Sequence, residues 1–144
     1  MPTSRNSSAR RSPISVLFVT PECAPLAKTG GLGDVSAALP AALRALGVDA
    51  RILIPGYPAV MAAGPAAREL ARFTVLDPPQ PIRLVELHLP SGVPVIAIDC
   101  PPLYLRGGGP YQRDDGHDWE DNILRFGVLS RVAALLGSAA SPIE

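Results

Sequence analysis

Residues 14–35 read ISVLFVTPECAPLAKTGGLGDV, and this stretch decides the fold of the 144-residue chain. Ile14–Thr20 is a nearly continuous run of apolar and β-branched side chains, which is typical of a strand buried on both faces of a parallel sheet. A loop follows from Pro21 to Gly33, and Asp34 then opens a helical pattern. The stretch therefore predicts a strand, a glycine-rich loop and a helix.

The predicted helix leads directly into a second strand. Its apolar residues recur along one face, at Val35, Leu39, Leu43 and Leu46. Pro40 inside this pattern predicts a kink or a split, and Gly47 marks the end of the helix. Residues 51–54 (RILI) form another buried strand that ends at Pro55-Gly56. One strand–helix–strand unit at this spacing places the chain in the α/β class.

The middle of the chain predicts an antiparallel addition to the sheet. Residues 62–71 are rich in alanine and ambiguous, and residues 72–76 predict a short strand. Residues 82–89 and 93–99 predict a hairpin closed by Ser91-Gly92. The expected fold is therefore a mostly parallel sheet with flanking helices and an antiparallel hairpin.

The last third of the chain predicts a long loop followed by a helix. Residues 100–118 have no regular pattern. A helix from Trp119 to Leu136 follows, with Asp118 as its N-cap. Its apolar stripe comprises Ile123, Phe126, Leu129, Val132 and Leu136. An alternating α/β pattern requires a further strand after this helix, so we expect residues 14–144 to be an incomplete domain.

The composition excludes several classes of function. With 47% hydrophobic and 18% charged residues, the chain has enough apolar side chains for a core. Its 13 basic residues balance 13 acidic ones, which argues against binding to nucleic acid or to an anionic membrane surface. No run approaches the roughly 18 apolar residues of a membrane-spanning helix. Cys23 and Cys100 form no disulfide framework, so we expect a cytoplasmic protein.

The first 13 residues differ in character from the rest. They are polar, rich in serine and arginine and free of acidic residues, which predicts a disordered tail. An export or organelle signal remains the alternative, because Arg10-Arg11 precede the apolar run 14–19.

The glycine-rich loop is the strongest candidate site. Lys28 is the single lysine of the chain and precedes Gly30, Gly31 and Gly33 at the start of a helix. Backbone N–H groups at a helix N-terminus and a nearby ammonium group together can hold a phosphate. The alternative is an ordinary turn whose glycines adopt positive φ. The loop is neither a Walker A motif, whose lysine follows the glycines, nor a dinucleotide fingerprint, since the second strand ends without an acidic residue.

Asp34 is the unexpected residue of this loop. A carboxylate beside a bound diphosphate would be repelled by it. Asp34 therefore either caps the helix, facing away from the ligand, or accepts hydrogen bonds from the hydroxyls of a sugar.

The other chemically active residues predict no second site. His88 and His117 have no serine or cysteine partner at suggestive spacing. Asp114, Asp115 and Asp118 supply too few ligands for a metal ion. We therefore expect neither a metal site nor a cofactor.

The sequence resembles the bacterial glycogen synthase and plant starch synthase family. Lys28–Val35 (KTGGLGDV) carries the resemblance most specifically. Supporting segments occur in the family's order and cover most of residues 14–137: Val16–Thr20, Pro21-Glu22, Ala38–Leu43, Arg51–Tyr57, Leu103-Tyr104, Gly109–Tyr111 and Asp121–Phe126.

The resemblance implies the N-terminal half of a glycosyltransferase with two Rossmann-like domains facing a cleft. Such enzymes transfer glucose from ADP-glucose to the non-reducing end of an α-1,4-glucan such as glycogen, with retention and without a metal. By position, Lys28 would bind the sugar nucleotide and Asp34 would lie near the sugar or the acceptor. Tyr104 would line the cleft on the acceptor side. The backbone N–H groups that would reach the diphosphate belong to Gly30, Gly31 and Gly33.

The chain also departs from the family pattern. Leu105 stands where the family commonly has an acidic residue. The family's cleft histidine and its whole second domain correspond to positions beyond residue 144, so we expect the chain alone to be inactive. Two other hypotheses stay open: a non-catalytic module that binds a nucleotide sugar or a glucan, and an unrelated phosphate-binding α/β domain.

Overall fold

A computed structural model describes residues 14–143, and the predicted tail 1–13 lies outside that range. The described residues form five strands and four helices. In chain order these are β1 (Ser15–Val19), α1 (Gly31–Ala45), β2 (Asp49–Pro55), α2 (Pro58–Ala63), β3 (Arg68–Val75), β4 (Gln80–His88), β5 (Pro94–Asp99), α3 (Pro101–Tyr104) and α4 (Asn122–Leu136).

The strands form one mixed sheet in the order β1-β2-β5-β4-β3. The β1–β2 and β2–β5 pairs are parallel, and the β5–β4 and β4–β3 pairs are antiparallel. The α/β class and the predicted hairpin, now β4 and β5, are confirmed. The sheet is less parallel than the sequence predicts, because the expected short strand 72–76 is the longer β3 and pairs with β4.

The core centres on β2 and β5. Ile52–Ile54 and Val95–Ile98 are at most 1% exposed, which confirms the burial predicted for the second strand. The prediction that the first strand is buried on both faces is wrong. Residues 16–18 of β1 are half-buried and Val19 is 41% exposed. Within the described range β1 pairs only with β2, so it lies at the edge of the sheet.

Helix α1 differs from its prediction in its start and in its buried face. It begins at Gly31 instead of Asp34 and is not split at Pro40. Its buried residues are Gly33, Ser36 and Pro40. The predicted apolar face is largely in solvent, with Val35, Leu39 and Leu46 exposed. Small side chains on the buried face let the helix lie close to the sheet, and this close approach outweighs the pattern of larger apolar residues.

Helix α4 also begins later than predicted. It starts at Asn122 rather than Trp119, and Asp118 does not cap it. The Asp118 carboxylate accepts a hydrogen bond of 3.2 Å from the side-chain amide of Gln112 instead. Of the predicted apolar stripe, Leu129 and Val132 are buried, whereas Ile123 is 91% exposed.

The topology gathers three loops at one edge of the sheet. Because β1, β2 and β5 run parallel, the loops that follow them leave from the same end. These loops comprise residues 20–30, residues 56–57 and residues 100–121, the last of which contains α3. Among residues 14–143, no helix is both long enough and apolar enough to cross a bilayer.

Candidate anion-binding site

The glycine-rich loop is tied to the end of β1 by polar contacts. The Thr20 hydroxyl donates to the backbone carbonyl of Glu22 at 2.7 Å and lies 2.9 Å from the Ser36 hydroxyl on α1. Cys23 and Ala27 exchange two backbone hydrogen bonds of 2.8 and 2.9 Å. The loop therefore leaves the sheet, turns back on itself and enters α1 along a fixed path.

The first turn of α1 presents free donors. Gly30 is the N-cap, and no side chain caps the helix. The N–H groups of Gly31, Leu32 and Gly33 have no acceptor within the helix, as at any helix N-terminus, and the described residues provide none elsewhere. Three adjacent N–H groups at the positive end of a helix dipole can bind an anion.

The glycines of the loop are not explained by backbone conformation. The described glycines with positive φ are Gly47, Gly92, Gly108 and Gly116. The alternative of an ordinary turn that requires positive φ at Gly30, Gly31 and Gly33 is therefore wrong. A Cβ atom at Gly30 or Gly31 would meet nothing within 4 Å. The chain's own packing thus requires no glycine at these two positions, and their small size leaves the donors accessible.

Gly33 has a different role. A Cβ atom there would lie 3.0 Å from Cγ of Lys28, so the missing side chain makes room for the lysine stem. The Lys28 ammonium reaches the two carboxylate oxygens of Asp34 at 2.8 and 2.7 Å. The side chains of Lys28 and Asp34 are 47% and 61% exposed. Asp34 thus lies in the first turn of the helix and pairs with Lys28 rather than acting as the N-cap.

Glu22 is the buried acidic residue of this region. Its side chain accepts hydrogen bonds from the backbone N–H groups of Thr29 at 2.8 Å and Gly30 at 3.2 Å. The hydroxyls of Thr29 and Tyr111 each donate to its other oxygen at 2.7 Å. The Gly30 N–H group, which the family resemblance assigned to the diphosphate, is therefore already bonded to Glu22.

Glu22 is ionised at neutral pH. Burial raises the pKa of its carboxyl, but hydrogen bonds from Thr29, Tyr111 and Gly30 to the charged form outweigh burial. Together they lower the pKa to about 2. All of these donors are neutral, so hydrogen bonds and not an ion pair hold the charge.

A cavity of about 370 Å³ opens beside the loop. This volume lies in the range of small-molecule sites. Its lining includes Lys28 and Thr29 from the glycine-rich loop, Tyr57, and Tyr104 and Gly107–Pro110 from the loop after β5. The Tyr57 hydroxyl is buried and has no hydrogen-bond partner among residues 14–143.

Tyr104, which the sequence predicted as a site residue, and Arg125, which it did not, form part of the wall of the cavity. Tyr104 is 1% exposed, and its hydroxyl donates to the backbone carbonyl of Arg125 at 2.6 Å. Arg125 is 2% exposed and donates to the carbonyls of Leu103 and Pro110, each at 2.9 Å. Its guanidinium carbon lies 5.5 Å from the centre of the Trp119 ring. Tyr104 and Arg125 thus fasten the loop after β5 to α4.

The sequence matches the model of a known protein family. Residues 15–141 match the model of the starch synthase catalytic domain. The chain belongs to this family.

Glycogen synthases of other organisms match nearly the whole of this chain. It is 56% identical over 138 residues to a glycogen synthase of Aromatoleum aromaticum, covering 96% of this chain and 28% of that protein. It is 55% identical over 141 residues to a glycogen synthase of Nitrosomonas eutropha, covering 95% of this chain and 28% of that protein. The chain therefore spans about 28% of the length of these relatives.

A solved starch synthase structure shares the fold. It is the catalytic domain of starch synthase IV from Arabidopsis thaliana, bound to ADP and acarbose. The TM-score is 0.66 at 25% sequence identity, and the match covers 88% of this chain and 26% of that one.

Some residues of this candidate site were predictable and others were not. Lys28 and Tyr104, predicted as site residues, both line the cavity. Gly30, Gly31, Gly33 and Asp34 are not among its lining residues and lie next to it in the chain, at the start of α1. Sequence reasoning missed the roles of Glu22, Tyr111 and Arg125. Glu22 had one usable signal, because it is the first acidic residue of the chain and follows a buried strand directly. An arginine in a helix gives no comparable signal of burial.

Proposed function

We propose that this chain supplies the anion-binding half of the active site of a glycogen synthase. The reaction is the transfer of glucose from ADP-glucose to the non-reducing end of an α-1,4-glucan, with retention. The observation that carries the proposal is the open first turn of α1, where Gly30 and Gly31 face empty space beside Lys28. The names of the curated relatives, and the ADP and acarbose bound to the Arabidopsis domain, support the same reaction.

The proposed chemistry follows from the charge that develops on the leaving group. When the bond between the anomeric carbon and the diphosphate breaks, negative charge accumulates on the diphosphate oxygens. The N–H groups of Gly31, Leu32 and Gly33 would donate to these oxygens, and Lys28 would leave Asp34 to pair with them. Fixed donors aimed at a developing charge lower the barrier most effectively in a site that excludes water. Asp34 would then be free to accept a hydrogen bond from a sugar hydroxyl.

The site assignments and the location are part of the same proposal. Tyr104 would act through its ring, because its hydroxyl is already bonded to a backbone carbonyl. We also propose a cytoplasmic location, since Cys23 and Cys100 are both free thiols and buried.

A hybrid enzyme tests the proposed reaction. Residues 15–141 would replace the matched segment of the Aromatoleum aromaticum glycogen synthase. We expect this hybrid to elongate glycogen with ADP-glucose, with UDP-glucose assayed in parallel, and we expect the 144-residue chain alone to give no elongation. A folded hybrid that is inactive but still binds ADP or maltooligosaccharides would favour a non-catalytic module. A folded hybrid that binds neither would overturn the proposal.

Replacing Gly31 by alanine separates ligand binding from folding. Alanine has a higher helix propensity than glycine, so the free energy of unfolding should stay equal or rise by up to about 1 kcal/mol. The added methyl group would project from the donor face, and we expect ADP-glucose affinity to fall about 10-fold through the loss of hydrogen bonds to the diphosphate. Titration and thermal melting measure the two effects.

Gly127→Ala is the matched control for Gly31→Ala. Gly127 lies within α4, and a Cβ atom there would also meet nothing within 4 Å. Its replacement should leave ADP-glucose affinity unchanged. If Gly31→Ala behaves in the same way as Gly127→Ala, the open face of the loop does not receive the ligand.

A further inference from the structure

Two loops that are distant in sequence meet at one carboxylate. Glu22 and Thr29 belong to the loop after β1, whereas Tyr111 belongs to the loop after β5, 89 residues from Glu22. The hydroxyls of Thr29 and Tyr111 donate to the same Glu22 oxygen, each at 2.7 Å. The two loops that flank the cavity are therefore joined through a single atom.

The Glu22 carboxylate binds some of the backbone N–H groups at the start of α1 and leaves others for a ligand. It takes the N–H groups of Thr29 and Gly30, which are the inner donors. The N–H groups of Gly31, Leu32 and Gly33 are left for a ligand. The direction of these outer donors depends on the path of residues 29 and 30, and Glu22 fixes that path.

Removal of the Tyr111 hydroxyl would take away one hydrogen-bond donor and would leave the charge of Glu22 unchanged.

Tyr111 is partly buried, and its ring packs against Phe126 of α4 with 5.8 Å between the ring centres. The loop after β5 is thus anchored to α4 independently of Glu22. Through this anchored loop, Tyr111 holds the carboxylate, and the carboxylate holds the glycine-rich loop.

We propose that Glu22 is a positioning residue, held by Tyr111, that orders the glycine-rich loop so that the N–H groups of Gly31, Leu32 and Gly33 converge on the diphosphate of the nucleotide sugar. This inference rests on the proposed function for the identity of the ligand. The ordering of the loop by Glu22 and Tyr111 can be measured without any ligand.

The first measurement is amide hydrogen exchange in the 144-residue chain. Tyr111→Phe and Glu22→Gln should both accelerate exchange at residues 29 and 30, about 3-fold and 10-fold respectively, from the loss of one and of several hydrogen bonds. Asp99→Asn is the control, because Asp99, the last residue of β5, is a largely buried carboxylate whose partner at 2.6 Å is Arg83 of β4 and not a residue of the glycine-rich loop. Its loss should lower stability without selective exchange in the loop. Exchange that is equally fast in all three variants, or unchanged in Tyr111→Phe, would overturn the proposal.

The second measurement is affinity for ADP and for ADP-glucose, with the hybrid enzyme providing KM and kcat. We expect Tyr111→Phe to weaken binding about 3-fold and Glu22→Gln about 10-fold, and we expect the double variant to resemble Glu22→Gln. Independent roles would instead give about 30-fold in the double variant. The loss should appear in KM for ADP-glucose as well as in the affinity for ADP.

Repulsion between the Glu22 charge and the bound anion would change the affinity for ADP in the opposite direction. If Glu22 acted on the anion mainly by repulsion, Glu22→Gln would tighten ADP binding and Tyr111→Phe would not change it, and either result overturns the inference. If the folded hybrid enzyme without these substitutions binds neither ADP nor ADP-glucose, the proposed function fails. The exchange measurement then decides the ordering role of Glu22 and Tyr111 by itself.

Discussion

Replacing Lys28 by alanine is expected to weaken ADP-glucose binding by about 10- to 100-fold while leaving the fold intact. A charge-assisted hydrogen bond from an ammonium group to a phosphate contributes about 1.5–3 kcal/mol, which corresponds to this loss of affinity. The variant also removes the partner of Asp34, whose negative charge would then oppose the diphosphate. The KM of the hybrid enzyme for ADP-glucose and the dissociation constant of ADP measure the effect.

The fold should tolerate the loss of Lys28 because its ion pair is exposed. An exposed pair contributes at most about 1 kcal/mol to stability, so the melting temperature should change by only a few degrees. Lys28→Arg is the control, since it keeps the charge but replaces a compact ammonium by a planar group, and its loss of affinity should be smaller. A Lys28→Ala hybrid with unchanged KM for ADP-glucose would show that Lys28 does not bind the nucleotide sugar.

Replacing Arg125 by methionine is expected to lower the free energy of unfolding by about 2–5 kcal/mol. The substitution keeps much of the side-chain volume but leaves the buried carbonyls of Leu103 and Pro110 without their donor, at about 1–3 kcal/mol each. It also removes the guanidinium from its place beside the Trp119 ring. Urea unfolding followed by far-ultraviolet circular dichroism measures the change.

Arg131 provides the matched control for Arg125. It lies on the same helix, six residues further on, and its side chain is exposed. Arg131→Met should change the free energy of unfolding by less than about 0.5 kcal/mol. Equal stability of the two variants would show that the hydrogen bonds of Arg125 do not hold the loop after β5.

The local pattern of the sequence predicted the parts of the fold that depend on neighbouring residues. Residues 51–54 are a buried strand because their apolar run is continuous, and the Ser91-Gly92 turn specified the hairpin of β4 and β5. The buried face of α1 was not predictable in this way. Periodicity favoured Val35 and Leu39, whereas close contact between helix and sheet selected Gly33 and Ser36.

The same distinction between local and long-range contacts applies to the candidate site. Lys28 and the glycines are close in sequence, so their motif could be recognised from the sequence alone. Glu22 and Tyr111 are 89 residues apart, and only the folded chain shows that their side chains meet. The burial of Arg125 likewise depends on carbonyl groups from two other segments, which no pattern within α4 indicates.

The solitary lysine has a practical consequence for chemistry in solution. Reagents that acylate primary amines have one side-chain target in this sequence, because the remaining 12 of its 13 basic residues are arginines. That target lines the cavity, and its side chain is 47% exposed. Apart from the chain's amino terminus, such a reagent would therefore attach a fluorescent or isotopic tag to a single residue.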